Sequence, residues 1–187
     1  MNFRYCKYVL FRASLIICIP TCISLQAQEQ PSTGPVVEKF GPVYEVPDLG
    51  LPAPADRIYK VVFEIDNSPS DHEEVNSALT TVARFLNMHA RAGVPVQNLR
   101  VAIVMHGSAS KDALKDSAYR KRYGADNPNA ELLQALDRAG VRAYLCGQTA
   151  TYREIHTDEL TPPVQMALSA MTALVLLQED GYNLIPW

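Results

Sequence analysis

"LRVAIVMHG", residues 99–107, carries one charged side chain, Arg100, in its first seven positions and shows no polar alternation. A strand with one wet face would read apolar, polar, apolar. A strand this uniformly apolar is covered on both faces, which is the habit of parallel sheets held between helices. Polarity returns at His106 and Gly107, so the stretch predicts a central strand whose carboxyl end carries a histidine.

The segments on either side repeat the theme. "IYKVVFEID" (58–66), rich in β-branched and aromatic residues, predicts an earlier strand that runs out into Asp66 and Asn67, and "VRAYLC" (141–146) predicts a later one that runs out into Cys146, Gly147 and Gln148. Between them the period changes to that of a helix. Asp71 with Glu74 suggests a capping box, after which Val75, Leu79, Val82, Leu86 and Ala90 recur at helical spacing until Gly93. Ser110 predicts the cap of a polar helix to about Tyr123. Asn127-Pro128 predicts the start of another, with Leu132, Leu133 and Leu136 facing inward and Gly140 ending it.

Beyond the third strand, Thr151 and Glu154 suggest a short helix stopped by Pro162-Pro163. "VQMALS" (164–169) reads as a fourth strand, residues 170–181 as a helix and "YNLIPW" as a fifth strand; the apolar run from Val164 also fits one long helix. Strands alternating with helices predict an α/β fold over residues 58–187: a flavodoxin-like, doubly wound, mainly parallel five-stranded sheet with helices on both faces.

The first 57 residues do not belong to that pattern. Arg4, Lys7 and Arg12 make a basic start, Ala13 to Leu25 is apolar, and Leu25-Gln26-Ala27 offers a small-residue cleavage site. Residues 1–27 therefore predict a secretory signal peptide and an exported, periplasmic protein. The apolar stretch is shorter than the roughly 20 residues a bilayer span needs, so no membrane span is expected after processing. Cys22 raises lipidation as an alternative, against which Ile19-Pro20-Thr21 is a poor lipid-attachment context. Residues 28–57 hold Pro31, Pro35, Pro42, Pro47, Pro52 and Pro54, which predicts an extended proline-rich arm, either laid against a domain or neighbour or mobile as a linker.

Processing would change the charge and thiol counts. Removing Arg4, Lys7 and Arg12 from 17 basic residues leaves 14 against 20 acidic ones, a net charge of −6, and no basic stripe is present. Nucleic acid is not an expected partner, nor is an anionic membrane surface. Loss of Cys6, Cys18 and Cys22 leaves Cys146 alone, so no disulfide can form within one mature chain and stability must come from burial.

In doubly wound sheets ligands sit beyond the carboxyl ends of the strands. Asp66 and Asn67, His106, and Cys146 all fall at that edge. A thiol acts as a nucleophile only when ionised, and the amides of Gly147, Gln148 and the following turn could stabilise its anion. Gly147 would also let a partner or substrate approach closely, having no side chain. Buried free cysteines are common, so a packing role for Cys146 stays open beside the functional one. His106 could act as base or hydrogen-bond partner, with Gly107 beside it, or be an ordinary surface histidine. In a 2-1-3 strand order the two strand ends would lie roughly 9 to 10 Å apart, two steps of about 4.8 Å, so contact would need bent loops or a neighbouring subunit.

Other chemistries find little support. His72, His89 and His156 show no ligand spacing with Cys146, and there is no Cys-x-x-Cys, phosphate-cradling glycine loop or Gly-x-Ser-x-Gly around Ser108 and Ser110. No metal and no cofactor is expected.

Taken in order, "KVVFEID", "VAIVMHG", "NPNAELLQALDRAGV", "YLCGQT" and "ALSAMTALVLLQEDGYNLIPW" make residues 58–187 resemble the DsrE/DsrF-like, or YchN-like, sulfur-relay family. The resemblance implies a persulfide-carrying cysteine at Cys146, a matching histidine-glycine at His106-Gly107, and homotrimers or hexamers with sites near subunit interfaces. The leader and the arm depart from the cytoplasmic relays.

Two functions are therefore expected. The first is a sulfur carrier of sulfurtransferase type, holding sulfane sulfur on Cys146 with His106 as catalytic partner and Gly107, Gly147, Gln148, Asp66 and Asn67 lining the site, exchanging it with the thiol of a donor or acceptor protein. The second is a non-catalytic oligomeric binding protein that uses the strand-end crevice or the arm, with Cys146 structural.

Overall fold

The structure is a computed structural model that describes residues 30–186. The leader reading of residues 1–27, including Cys6, Cys18 and Cys22, and the closing Trp187 fall outside the described residues. In chain order the elements are β1 (Tyr59–Ile65), α1 (Ser77–Arg91), β2 (Leu99–Met105), α2 (Asp116–Tyr123), α3 (Ala130–Arg138), β3 (Arg142–Cys146), α4 (Gly147–Tyr152), β4 (Val164–Ala167), α5 (Ala170–Glu179) and β5 (Asn183–Pro186). The five strands form one sheet in which every neighbouring pair is parallel, in the order β4-β3-β2-β1-β5. This is the expected flavodoxin-like α/β arrangement.

The strand order differs from the 2-1-3 expected from the sequence, because β2, and not β1, lies between the other two. The chain advances from β1 to β4 in one direction, then returns to the far edge as β5. Parallel crossovers are right-handed, so helices of the forward steps lie on one face of the sheet and the helix of the return step lies on the other. Accordingly Phe63, Ile65, Ile103, Met105 and Leu145 point into a large core with Leu79 and Leu86 of α1 and Leu132 and Leu136 of α3. Val62, Ala102, Val104 and Cys146 point the other way, under Ala170, Ala173 and Leu177 of α5 alone. From Val101 to Met105, β2 is at most 1% exposed, as its unbroken apolar run requires.

Several element starts differ from expectation, each for a local reason. Asp71 and Glu74 form no capping box; the Asp71 carboxylate accepts from the Glu73 amide, and α1 is capped instead by Asn76, whose Oδ1 accepts from the Ala78 amide at 2.9 Å. Ser110 caps no helix. It is buried and donates to the Gly107 carbonyl inside a 3-10 turn, Gly107–Ala113, and α2 starts only at Asp116. Asn127 accepts from the Asn129 amide, so α3 begins at Ala130. The helix placed near Thr151 instead starts directly after Cys146, and residues Thr157–Glu159 make only a 3-10 turn. Ser169 caps α5 by accepting from the Thr172 amide at 3.0 Å, which separates β4 from α5 and rules out one long helix.

Residues 30–57 run along α1. Asn87, fully buried, accepts from the amides of Val36 and Val37 and donates to the carbonyls of Val37, Phe40 and Gly41. Arg91 donates to the carbonyls of Ser32, Thr33 and Gly34. The second half of the arm exposes Tyr44, Val46, Leu49 and Leu51, and with Met88 and His89 of α1 it borders a groove of about 710 Å³.

Candidate functional site

Cys146 closes β3, and its backbone is still extended (φ −61°, ψ 116°) where α4 begins. That geometry aims the first amides of α4 back at the side chain. The amides of Gln148 and Thr149, the Thr149 hydroxyl and the amide of Ala170 at the start of α5 are donors grouped around Sγ that favour its ionised form. Burial pushes the thiol up, these four donors pull it down, and the net direction is below its ordinary value. The residue is 6% exposed. The sulfur is recessed but surrounded by donors, which suits an anion better than a packing role does.

Gly147 makes this convergence possible. A Cβ there would stand 2.5 Å from the Ala167 carbonyl oxygen and 3.0 Å from that of Leu168. The close approach expected at this glycine is therefore made by the chain's own β4–α5 connection, which brings the Ala170 amide to the thiol, and not by a partner or substrate. Gln148 contributes its backbone; its side chain is exposed, with one long contact of 3.5 Å to the Leu168 carbonyl.

His106 follows β2, one strand step from β3. The last paired residues are Met105 and Leu145, so His106 and Cys146 are the next positions on adjacent strands. This removes the 9–10 Å separation expected from the sequence, since one step is about 4.8 Å. Alternation puts His106 on the face of Val104, which is also the face of Cys146 and Val62. There Nε2 of His106 lies 3.0 Å from Oε1 of Glu64 on β1. Glu64, in register with Val104, His106 two residues beyond it, and Cys146 thus share one face at the carboxyl ends of three adjacent strands.

Asp66 and Asn67 stand apart from that group. Their exposed side chains bond each other at 2.6 Å, and neither bonds His106 or Cys146. Their backbones do more: the Asp66 carbonyl accepts from the Ala109 amide and the Ser108 hydroxyl, and the Asn67 carbonyl accepts from Asn76. Gly107 fits against this connection with φ +55°, where a Cβ would meet the Asp66 carbonyl oxygen at 2.5 Å.

Beneath the loops lies a buried polar knot. Asp112, 0% exposed, accepts from Ser68 (2.7 Å), Asn76 (2.7 Å) and Asn129 (3.1 Å), tying the loops after β1 and β2 to the start of α3. Burial raises its carboxyl to about 6, against the pull of Asn76, Ser68 and Lys111.

The sequence reading passed over Glu64, Thr149 and the Ala170 amide. Glu64 did leave a signal, as the one acid inside an apolar strand at the position that shares a face with Val62. Thr149 was hidden by starting the helix too late. Among the described residues no cluster of three or more His, Cys, Asp or Glu side chains could hold a metal, and no helix is long and apolar enough to cross a membrane.

Comparison with solved structures finds the same fold twice over. A protein of unknown function from Methanobacterium thermoautotrophicum, MTH1491, is 21% identical with a TM-score of 0.52, covering 69% of this chain and 99% of its own. The ychN protein from E. coli is 17% identical with a TM-score of 0.51 and the same coverage. A comparison with curated proteins finds no match. The model of the DsrE/DsrF-like family matches residues 60–187, from the second residue of β1 through every strand and helix described above, and the chain belongs to that family.

Proposed function

We propose that this protein is a sulfur carrier of sulfurtransferase type, in which the Cys146 thiolate takes sulfane sulfur from a donor, holds it as a persulfide, and yields it to the thiol of a partner protein. The observation that carries this reading is the group of four donors around a recessed sulfur. Three come from backbone amides, so no side-chain substitution is needed to arm the thiol. Family membership supports a sulfur-relay role. A processed chain from about Gln28 keeps only Cys146 of the four cysteines, which suits a carrier, because a self-resolving oxidoreductase would need a second cysteine to displace the first.

The working form is an exported homo-oligomer beginning near Gln28. The apolar outer face of α5 and the residue leading towards it support assembly: Met171 is 75% exposed, Leu168 before the helix 72%, and Val175 and Leu176 are more than half exposed. Such a face beside Cys146 would place the sulfur near a subunit boundary or a docked partner.

Residues 28–187, reduced and then incubated with a sulfane donor such as a polysulfide, should gain one sulfur atom by intact mass. The adduct should vanish on reduction and be missing from Cys146→Ser. A wild-type chain that stays unmodified while Cys146 remains reduced and alkylatable overturns the proposal. One observation favours a second reading, binding without catalysis: the 710 Å³ groove along the arm. That reading expects Cys146→Ser to keep its activity in cells.

A further inference from the structure

The three groups on this sheet face have an order: carboxylate on β1, imidazole directly after β2, thiol at the end of β3. We infer that Glu64 and His106 form a proton-delivering pair, with His106 protonating the thiolate that leaves when Cys146 attacks and Glu64 acting as its positioning residue. This deepens the sulfur-carrier reading and rests on it.

The geometry bears on both nitrogens of the ring. Nε2 is held by Glu64 at 3.0 Å, while Nδ1 has no hydrogen-bond partner among the described residues. Glu64 and His106 are both partly exposed, at 32% and 27% of their side chains, so the pair borders solvent where a donor enters. A carboxylate that holds one imidazole nitrogen fixes the ring and leaves the other free to handle a proton. The groups that favour the Cys146 thiolate are Gln148, Thr149 and Ala170, and His106 is not among them. The histidine is therefore available for the other proton in the reaction.

That proton belongs to the leaving group. When the Cys146 thiolate attacks the outer sulfur of a donor R–S–SH, a bond forms between Sγ and that sulfur. The donor's S–S bond breaks, and its electron pair stays on R–S⁻. An alkyl thiolate is a basic leaving group, and doubly protonated His106 converts it to R–SH from Nδ1. The new Cys146–S–SH keeps the donor's hydrogen, and its ionisation to Cys146–S–S⁻ returns a proton to His106. No external oxidant or reductant enters, and atoms and charge balance over the cycle. The pair would favour donors and acceptors that are ordinary alkyl thiols.

The test separates leaving groups. Wild type, Glu64→Gln and His106→Gln are reacted with iodoacetamide, which releases no thiolate, with an activated aryl disulfide, whose leaving thiolate is weakly basic, and with a neutral alkyl disulfide. Both variants should stay within about twofold of wild type on the first two reagents. On the alkyl disulfide His106→Gln should slow by about a hundredfold, the scale of general acid catalysis, and Glu64→Gln by at least about tenfold. Equal slowing on all three reagents, or none on any, overturns the inference. Sulfane uptake in the same preparations tells the two proposals apart. Uptake with no leaving-group effect removes the proton pair and keeps the carrier, whereas a leaving-group effect without uptake does the reverse.

Discussion

At the scale of single residues, Cys146 is governed by where the chain stops being a strand. Its sulfur collects donors because α4 begins at Gly147 and α5 begins close by. Thr149 is the one side chain among those donors. Thr149→Val keeps the amide and removes the hydroxyl. It should raise the thiol's pKa and slow alkylation at neutral pH by about tenfold, the worth of one hydrogen bond of ~1.5 kcal/mol to a charged acceptor. Alkylation at the wild-type rate would show that the hydroxyl donates nothing to the sulfur. Cys146, Gly147 and Gln148 were legible in the sequence because a strand-like run ends there in a glycine. The Ala170 amide was not, since it arrives from a distant segment and no side chain announces it. His106 was legible at its strand end, but Glu64 was read only as part of a strand, its partner being visible only once β1 and β2 are adjacent.

At the scale of elements, side-chain amides and one buried acid decide how the pieces join. Asn87 meets five backbone groups of the arm, so Asn87→Ala leaves several of them without partners at about 1–3 kcal/mol each where burial persists. The expected result is release of residues 30–57 from α1, read as faster proteolysis within the arm while the sheet stays resistant. An arm that stays protected would contradict it. Asp112 makes a pH prediction. Its folded value of about 6 stands above the reference of 3.8, so the fold favours the protonated form. That contribution is complete below about pH 3.8 and is lost as pH rises through about 6. The shift corresponds to about 3 kcal/mol. Urea unfolding of wild type and Asp112→Asn should show wild type gaining up to that amount over the variant from pH 7 down to pH 4. Parallel profiles would remove Asp112 as the titrating group. Helix existence was legible from periodicity, whereas the starts of α1, α2 and α4 were not, because Asn76, Asp112 and Cys146 are fixed by partners far along the chain.

At the scale of the whole molecule, composition and unbroken apolar strands made a two-faced parallel sheet readable. Strand order was not readable, because it depends on which edge each crossover reaches and not on any one segment's pattern. The order found explains why, among the described residues, one face carries several helices and the other only α5, beside which Leu168, Met171, Val175 and Leu176 are exposed. If this face is an assembly surface, Met171→Asp with Val175→Asp should give monomers by light scattering where wild type gives a larger, uniform species. An unchanged assembly would place the interface elsewhere. What matters most is whether the folded protein presents a recessed, ionised sulfur. The direct measurement is the alkylation rate of Cys146 in intact residues 28–187 across pH. The account predicts steady reaction of the folded protein with a single midpoint below that of a free cysteine. Reaction only after unfolding, or a midpoint at or above the free value, would contradict it.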